Sequence, residues 1–156
     1  MGAIIKGSGS LASNELIVCL LAIAARTGIN PAPALELLTD CLQSHPVKPE
    51  RYVLVSFKRR GNATHIQSLR RAADVESMVS ALPDVARIID LVRERNAMPR
   101  QASNYPELLF VYESRAKINA GEMCRLTQIN LAAGIKIFIA QHQITDADGK
   151  PLKLNI

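Results

Sequence analysis

The chain has 156 residues and 48% apolar side chains, enough for one hydrophobic core, which argues against a disordered protein. Its longest apolar run, Leu16 to Ala25, is ten residues, too short for a membrane-spanning helix, so we expect a buried helix and no membrane partner. The formal charge of +5 and the pI near 9.4 favour anionic partners without identifying one.

The first third of the chain predicts a flexible leading segment and two helices. Residues 1–12 combine glycine and serine without hydrophobic periodicity, and we expect residues 13–156 to form a single domain. Ser13 or Asn14 is the expected cap of a helix that runs to Arg26 and ends at Thr27-Gly28. Asn30 and Pro31 predict a second helix, whose buried side is formed by Leu35, Leu37 and Leu38.

The middle of the chain predicts a β-hairpin followed by two helices. Residues 52–57 and 63–69 are extended runs rich in β-branched and aromatic side chains, separated by a polar turn. Apolar residues recur at helical spacing over 74–81 and 84–95, and 96–105 is predicted to be a polar linker.

The last third predicts a strand, a helix and a turn. The strand is expected over 108–112, and the helix over 124–141 with an interruption at Gly134. Asp146 to Gly149 predicts a turn before the alternating Leu152, Leu154 and Ile156. The fold class is therefore α/β in the broad sense, more strictly α+β: mostly helical, with a small antiparallel sheet or hairpin.

Metal, cofactor and disulfide chemistry is not indicated. The three cysteines are an odd number without C-x-x-C spacing, so we expect free thiols in the reducing cytoplasm. The three histidines have no metal-ligand spacing, so we expect no metal and no cofactor. Asp146, Asp148 and Gly149 resemble the start of a calcium loop, but its twelfth position would fall at 157, and a hairpin turn explains them better. Nucleophile elbows and phosphate-cradling glycine loops are not found in the sequence.

Positive charge is concentrated on one segment. Residues 48–71 contain seven of the nineteen lysines and arginines but only one acid, Glu50. A hairpin tip with Lys58, Arg59 and Arg60, and with Thr64 and His65 on the return strand, can direct cations toward phosphates. The alternative is a solvated turn with ordinary surface charges.

Three stretches, taken together, resemble the catalytic domain of the tyrosine recombinases, the phage integrase family. Residues 20–30 and 35–40 are similar to the family's first conserved box, in which a helix ends at Thr-Gly and a leucine-rich helix leads to an aspartate. Residues 55–62 with 64–69 resemble its lysine-bearing hairpin, and residues 148–156 resemble the approach to its second box. The resemblance extends from about Glu15 to the last residue and implies a partial integrase-like catalytic domain over 13–156.

The resemblance implies strand cleavage and rejoining at a DNA phosphate, which fixed cations stabilise while a tyrosine attacks. Lys58 corresponds to the family's lysine and is the implied general acid. Asn30 stands at the place of the first arginine, and Arg26 is the candidate substitute. Double-stranded DNA is the implied partner, together with other recombinase protomers. The predicted DNA-binding residues are Lys48, Arg51, Arg59, Arg60, Thr64, His65 and Arg70.

The departures from the family lead to an expectation of inactivity. The second box and the nucleophilic tyrosine are expected beyond Ile156, and Tyr52, Tyr105 and Tyr112 do not stand in the matching context. We therefore expect that these residues alone bind DNA for site-specific recombination but do not cleave it. Two alternatives are a non-catalytic basic module that binds nucleic acid and a protein-interaction module whose basic face only solubilises it.

Overall fold

In a computed structural model of the chain, residues 9–57, 64–70 and 84–153 are described. These ranges contain five helices and five strands, in the order α1 (Ser13–Thr27), α2 (Pro31–Leu35), β1 (Leu42–Ser44), β2 (Arg51–Phe57), β3 (Thr64–Arg70), α3 (Val85–Arg95), α4 (Ala97–Gln101), β4 (Val111–Glu113), β5 (Met123–Arg125) and α5 (Gln128–Gln141). The combination of helices with small antiparallel sheets confirms the α+β prediction. Residues 1–8 of the predicted leading segment and the predicted helix at 74–81 lie outside the described ranges.

Helix α1 follows the prediction except at its cap. It buries Leu16, Leu20 and Ile23, which recur at helical spacing, and it ends at Gly28 with φ +70°. The predicted cap at Ser13 or Asn14 is wrong, because the N-cap is Ala12. The Ala12 N–H donates to the Glu15 carboxylate at 2.7 Å, so a side chain inside the first turn satisfies the helix start.

Helix α2 begins as predicted but is shorter. Asn30 is its N-cap and Pro31 its first residue, yet the helix ends at Leu35. The chain beyond it pairs with residues 107–109: Leu109 N–H donates to Leu37 O at 2.8 Å, and Thr39 N–H donates to Glu107 O at 2.9 Å. The prediction that Leu37 and Leu38 lie on a helical face is wrong, because these backbone groups find partners across the fold instead of along a helix.

The hairpin prediction is confirmed, and a third strand joins it. Strands β2 and β3 pair antiparallel from Arg51 opposite Arg70 to Phe57 opposite Thr64. Strand β1, which the sequence analysis left unassigned, pairs with the other edge of β2, with Leu42 opposite Leu54. Leu54 is 1% exposed and belongs to the main core, so β2 is attached to the helical body.

Helix α3 is confirmed, but the linker predicted after it is wrong. Asp84 caps α3 by accepting the Arg87 N–H at 3.2 Å, and Ile88, Ile89 and Val92 are buried. Residues 97–101 then form α4 instead of continuing as a polar linker. Proline at the third position of α4 does not prevent a short helix, because the N–H groups of a first turn have no intrahelical partner.

The last third departs from the prediction at the helix start. Residues 123–125 form strand β5, paired with β4, and the helix begins only after Thr127. It runs through Gly134 without interruption, because that glycine permits close packing against Ile17 of α1. The predicted strand at 108–112 is reduced to a bridge at Leu108 and strand β4. The turn at 146–149 is confirmed, with Gly149 at φ +76°.

Helices α1, α3 and α5 and residues 109–112 supply most of the core. Among the described residues, no helix has the length and apolarity needed to cross a membrane.

Candidate nucleic-acid interface

The β2–β3 hairpin brings several predicted DNA-binding residues onto one element. Arg51 and Arg70 are direct cross-strand partners at one end of the hairpin, and Thr64 and His65 lie opposite Phe57 and Ser56 at the other end. Lys58, Arg59 and Arg60 belong to the six-residue connection 58–63, which lies outside the described residues.

Lys48 is placed next to Arg51 by a tight turn. The His45 Nδ1 atom accepts the backbone N–H groups of Val47 at 3.1 Å and of Lys48 at 2.9 Å. The Arg51 N–H donates to Lys48 O at 3.0 Å, and the His45 N–H donates to Arg51 O at 3.1 Å. Lys48 is exposed and Arg51 is half-buried, and the turn places both residues at the same corner of the three-stranded sheet.

Asn30, which the resemblance aligns with a catalytic arginine, and Arg26, its candidate substitute, lie at the start of α2 and the end of α1. Asn30 is exposed, and its amide makes no capping hydrogen bond to α2. The backbone carbonyl oxygen of Asn30 accepts the Ala34 N–H at 3.1 Å. The Arg26 Nη1 atom donates to Ala22 O at 3.2 Å, which directs this side chain along its own helix.

Residues 27–35 and the β2–β3 hairpin are joined in the fold. Helix α2 contacts β2, and the Val55 N–H donates to Cys41 O at 2.7 Å. Ile29, Leu35 and Leu54 share one core cluster. The strand that leads to Lys58 is therefore attached beside the helix that follows Asn30. The position of Lys58 relative to Thr27 and Asn30 lies outside the described residues.

Two arginines that the sequence analysis did not single out hold this region in place. Arg93 donates through Nε to Thr39 O, beyond α2, and through Nη1 to Asp90 at 3.1 Å. Arg100 is 7% exposed and donates through Nη2 to Arg93 O at 2.6 Å. Burial, reinforced by the Arg93 charge, lowers the pKa of Arg100. The available signal was their separation of seven residues, two helical turns, but the predicted polar linker over 96–105 gave Arg100 no buried role.

A cleft of about 330 Å³ lies beside α2, between residues 32–36 and 125–129. The Arg125 guanidinium lies 3.9 Å from the Glu36 carboxylate and 5.6 Å from the centre of the Tyr105 ring. Arg125 is half-exposed, so the cleft wall contains a cation that the sequence analysis did not identify.

Tyr112 is 9% exposed, and burial raises the pKa of its hydroxyl, with a smaller contribution from Cys124. A buried phenol with a raised pKa is poorly suited to attack a phosphate. Within the described ranges, no three histidine, cysteine, aspartate or glutamate side chains are grouped closely enough to hold a metal ion.

Comparison with known proteins returned no matching family model, curated protein or solved structure.

Proposed function

We propose that this chain binds duplex DNA as the first part of a catalytic domain of the tyrosine recombinase type, and that these 156 residues do not cleave DNA by themselves. The observation that carries the proposal is the β2–β3 hairpin, which pairs Arg51 with Arg70 and connects its strands through a segment with three cations and no acid. Phosphate contacts by such cations provide affinity without sequence selectivity.

The attachment of the hairpin supports this proposal. A cation-bearing hairpin contributes to a phosphate site only if it is fixed relative to the other groups of that site. Strand β2 contacts α2 and places Leu54 in the core, so the hairpin is connected to the Thr27–Asn30 region through packed side chains.

Binding without cleavage is supported by the neutral side chain at position 30 and by the environments of Tyr105 and Tyr112. Asn30 can donate a hydrogen bond to a phosphate but cannot neutralise it, and Arg26 is bonded within α1. Tyr112 is buried, and the Tyr105 ring lies under Arg125. Incubation with a nicked suicide duplex should therefore give no covalent adduct, and an adduct on Tyr52, Tyr105 or Tyr112 contradicts the proposal.

The salt dependence of DNA affinity tests the role of the hairpin. Each neutralised phosphate contributes about 0.9 to the slope of log Kobs against log salt concentration, so replacing Lys58, Arg59 and Arg60 by glutamine should flatten the slope by up to about three units. The control replaces Lys136, Lys150 and Lys153, which are exposed and lie outside the hairpin. Equal slopes for the two triple variants would exclude the hairpin from the interface.

The non-catalytic binding module is retained as a second candidate, because neither Asn30 nor Arg26 supplies the expected cation. Asn30→Arg distinguishes the two. If residue 30 faces a phosphate, the new cation steepens the salt slope by about 0.9. Asn104→Arg adds the same charge at an exposed position outside α2 and the hairpin. Equal slopes for these two variants favour the module, and no duplex binding by the wild-type chain at low salt favours a protein-interaction role.

A further inference from the structure

The connection between β4 and β5, residues 114–122, is a closely bonded turn that we name the Ile118 turn. Its two ends are joined by Ser114 N–H donating to Glu122 O and by Gly121 N–H donating to Ser114 O, both at 2.8 Å. The Ser114 hydroxyl donates to the Asn119 side-chain oxygen at 2.7 Å, and Gly121 adopts φ +86°, which favours glycine. The turn therefore has a defined shape in the protein by itself.

The tip of this turn combines an exposed apolar side chain with two cations. Ile118 is 98% exposed, although backbone hydrogen bonds close the turn around it. Arg115 and Lys117 are also exposed, and residues 114–121 contain no acid. The Arg115 Nη2 atom donates to Ser10 O at 3.1 Å, which fixes the guanidinium beside the turn. The nearest acids in sequence, Glu113 and Glu122, are at the base of the turn.

We propose that the Ile118 turn is a second contact with duplex DNA, in which Ile118 wedges between base pairs from the minor groove while Arg115 and Lys117 contact the flanking phosphates. This inference rests on the proposed DNA-binding function. Single apolar side chains act as such wedges when cations hold the backbone on both sides. Because the turn is already ordered, little conformational entropy is lost on insertion.

The chemistry of the turn favours DNA over an anionic membrane. One isoleucine and two cations give only marginal adsorption to a lipid surface, which usually requires an amphipathic helix or several anchors. A wedge into DNA needs only one side chain at a base step, so the single Ile118 is sufficient.

The experiment compares Ile118→Ala with Ile137→Ala in the full chain. Ile137 is 50% exposed on α5, outside the cleft beside α2, and is the matched control for loss of an exposed isoleucine. Binding is measured with duplexes that carry 2-aminopurine at several steps, whose fluorescence rises when a base is unstacked. We expect Ile118→Ala to lower the affinity about tenfold and to remove the fluorescence rise, whereas Ile137→Ala leaves both unchanged.

Three other outcomes would contradict the wedge proposal, the DNA-binding function or both. If the wild-type chain binds DNA and Ile118→Ala binds equally well with the same fluorescence, the wedge is excluded while the DNA-binding function stands. If the wild-type chain binds no duplex, the proposed function fails and the wedge fails with it. If Ile118→Ala reduces binding to phosphatidylserine vesicles but not to DNA, the turn contacts a membrane and the proposal is wrong.

Discussion

The contact between α1 and α5 at Gly134 predicts a change of sign in a double-mutant cycle. A Cβ at position 134 would lie 2.2 Å from Ile17 Cδ1 and 3.3 Å from its Cγ1. Ile17 is only 2% exposed, so its terminal methyl group has little room to move. Gly134→Ala should therefore incur an overpacking penalty of about 1–3 kcal/mol, opposed by about 1 kcal/mol of improved helix propensity.

Removing Cδ1 of Ile17 separates the overpacking penalty from the gain in helix propensity. Ile17→Val deletes the atom at 2.2 Å and by itself should destabilise the protein by about 1 kcal/mol. In the Ile17→Val background only the contacts with the two γ carbons, at 3.3 and 3.4 Å, remain, so Gly134→Ala should become neutral or stabilising by up to about 1 kcal/mol. The coupling energy between the two substitutions is then about 1–3 kcal/mol in favour of the double variant.

Urea unfolding followed by far-ultraviolet circular dichroism measures all four proteins. Ala133→Gly, on the exposed side of the same helix, calibrates the helix-propensity term alone. If Gly134→Ala destabilises the protein equally in the wild-type and Ile17→Val backgrounds, residue 134 does not contact Ile17, and the packing described for α1 and α5 is wrong.

Three further predictions concern buried and capping groups. Asn96→Ala should lower the free energy of unfolding by about 3 kcal/mol in urea titrations, because Leu11 and Val111 lose buried hydrogen-bond partners, whereas Asn104→Ala should have little effect. Burial raises the pKa of the Cys41 thiol from 9.0 to about 12, so the unfolded chain loses this proton first. The contribution of Cys41 to the free energy of unfolding is constant below about pH 9 and falls by up to about 1.4 kcal/mol per pH unit above it. Urea titrations of Cys41→Ala should show a shallower alkaline decline, and an equal decline contradicts this. Thr127→Ala should reduce the melting temperature, because losing the cap of α5 lowers the free energy of unfolding by about 1 kcal/mol. Thr127→Ser keeps the hydroxyl, so an equal reduction in that variant would show that the hydroxyl does not cap the helix.

Elements with a strong local signal were predictable from the sequence. Helix α1 has apolar residues at helical spacing and a glycine end, and the hairpin has two β-branched runs around a polar turn. Elements defined by distant partners were not. Strand β1 exists because Leu42 pairs with Leu54, and Leu37 leaves its helical pattern because its carbonyl accepts the Leu109 N–H. Sequence periodicity does not report such pairings.

The candidate site was predictable to a similar extent. The charge concentration at 48–71 identified the hairpin residues, and the described strands bring Arg51 opposite Arg70. The sequence could not show that Arg26 bonds to its own helix, nor that Arg125 lines the cleft beside α2, since both depend on side-chain direction.

The fixing of Leu11 by Asn96, and of Leu37 by Leu109, has a consequence for how the chain can be divided. Each part of the chain, before and after residues 71–83, supplies surfaces that the other completes, since α1 packs on both α3 and α5. A backbone cut within 71–83 would therefore release neither part, and two separately made polypeptides joined only by noncovalent packing could reconstitute the fold.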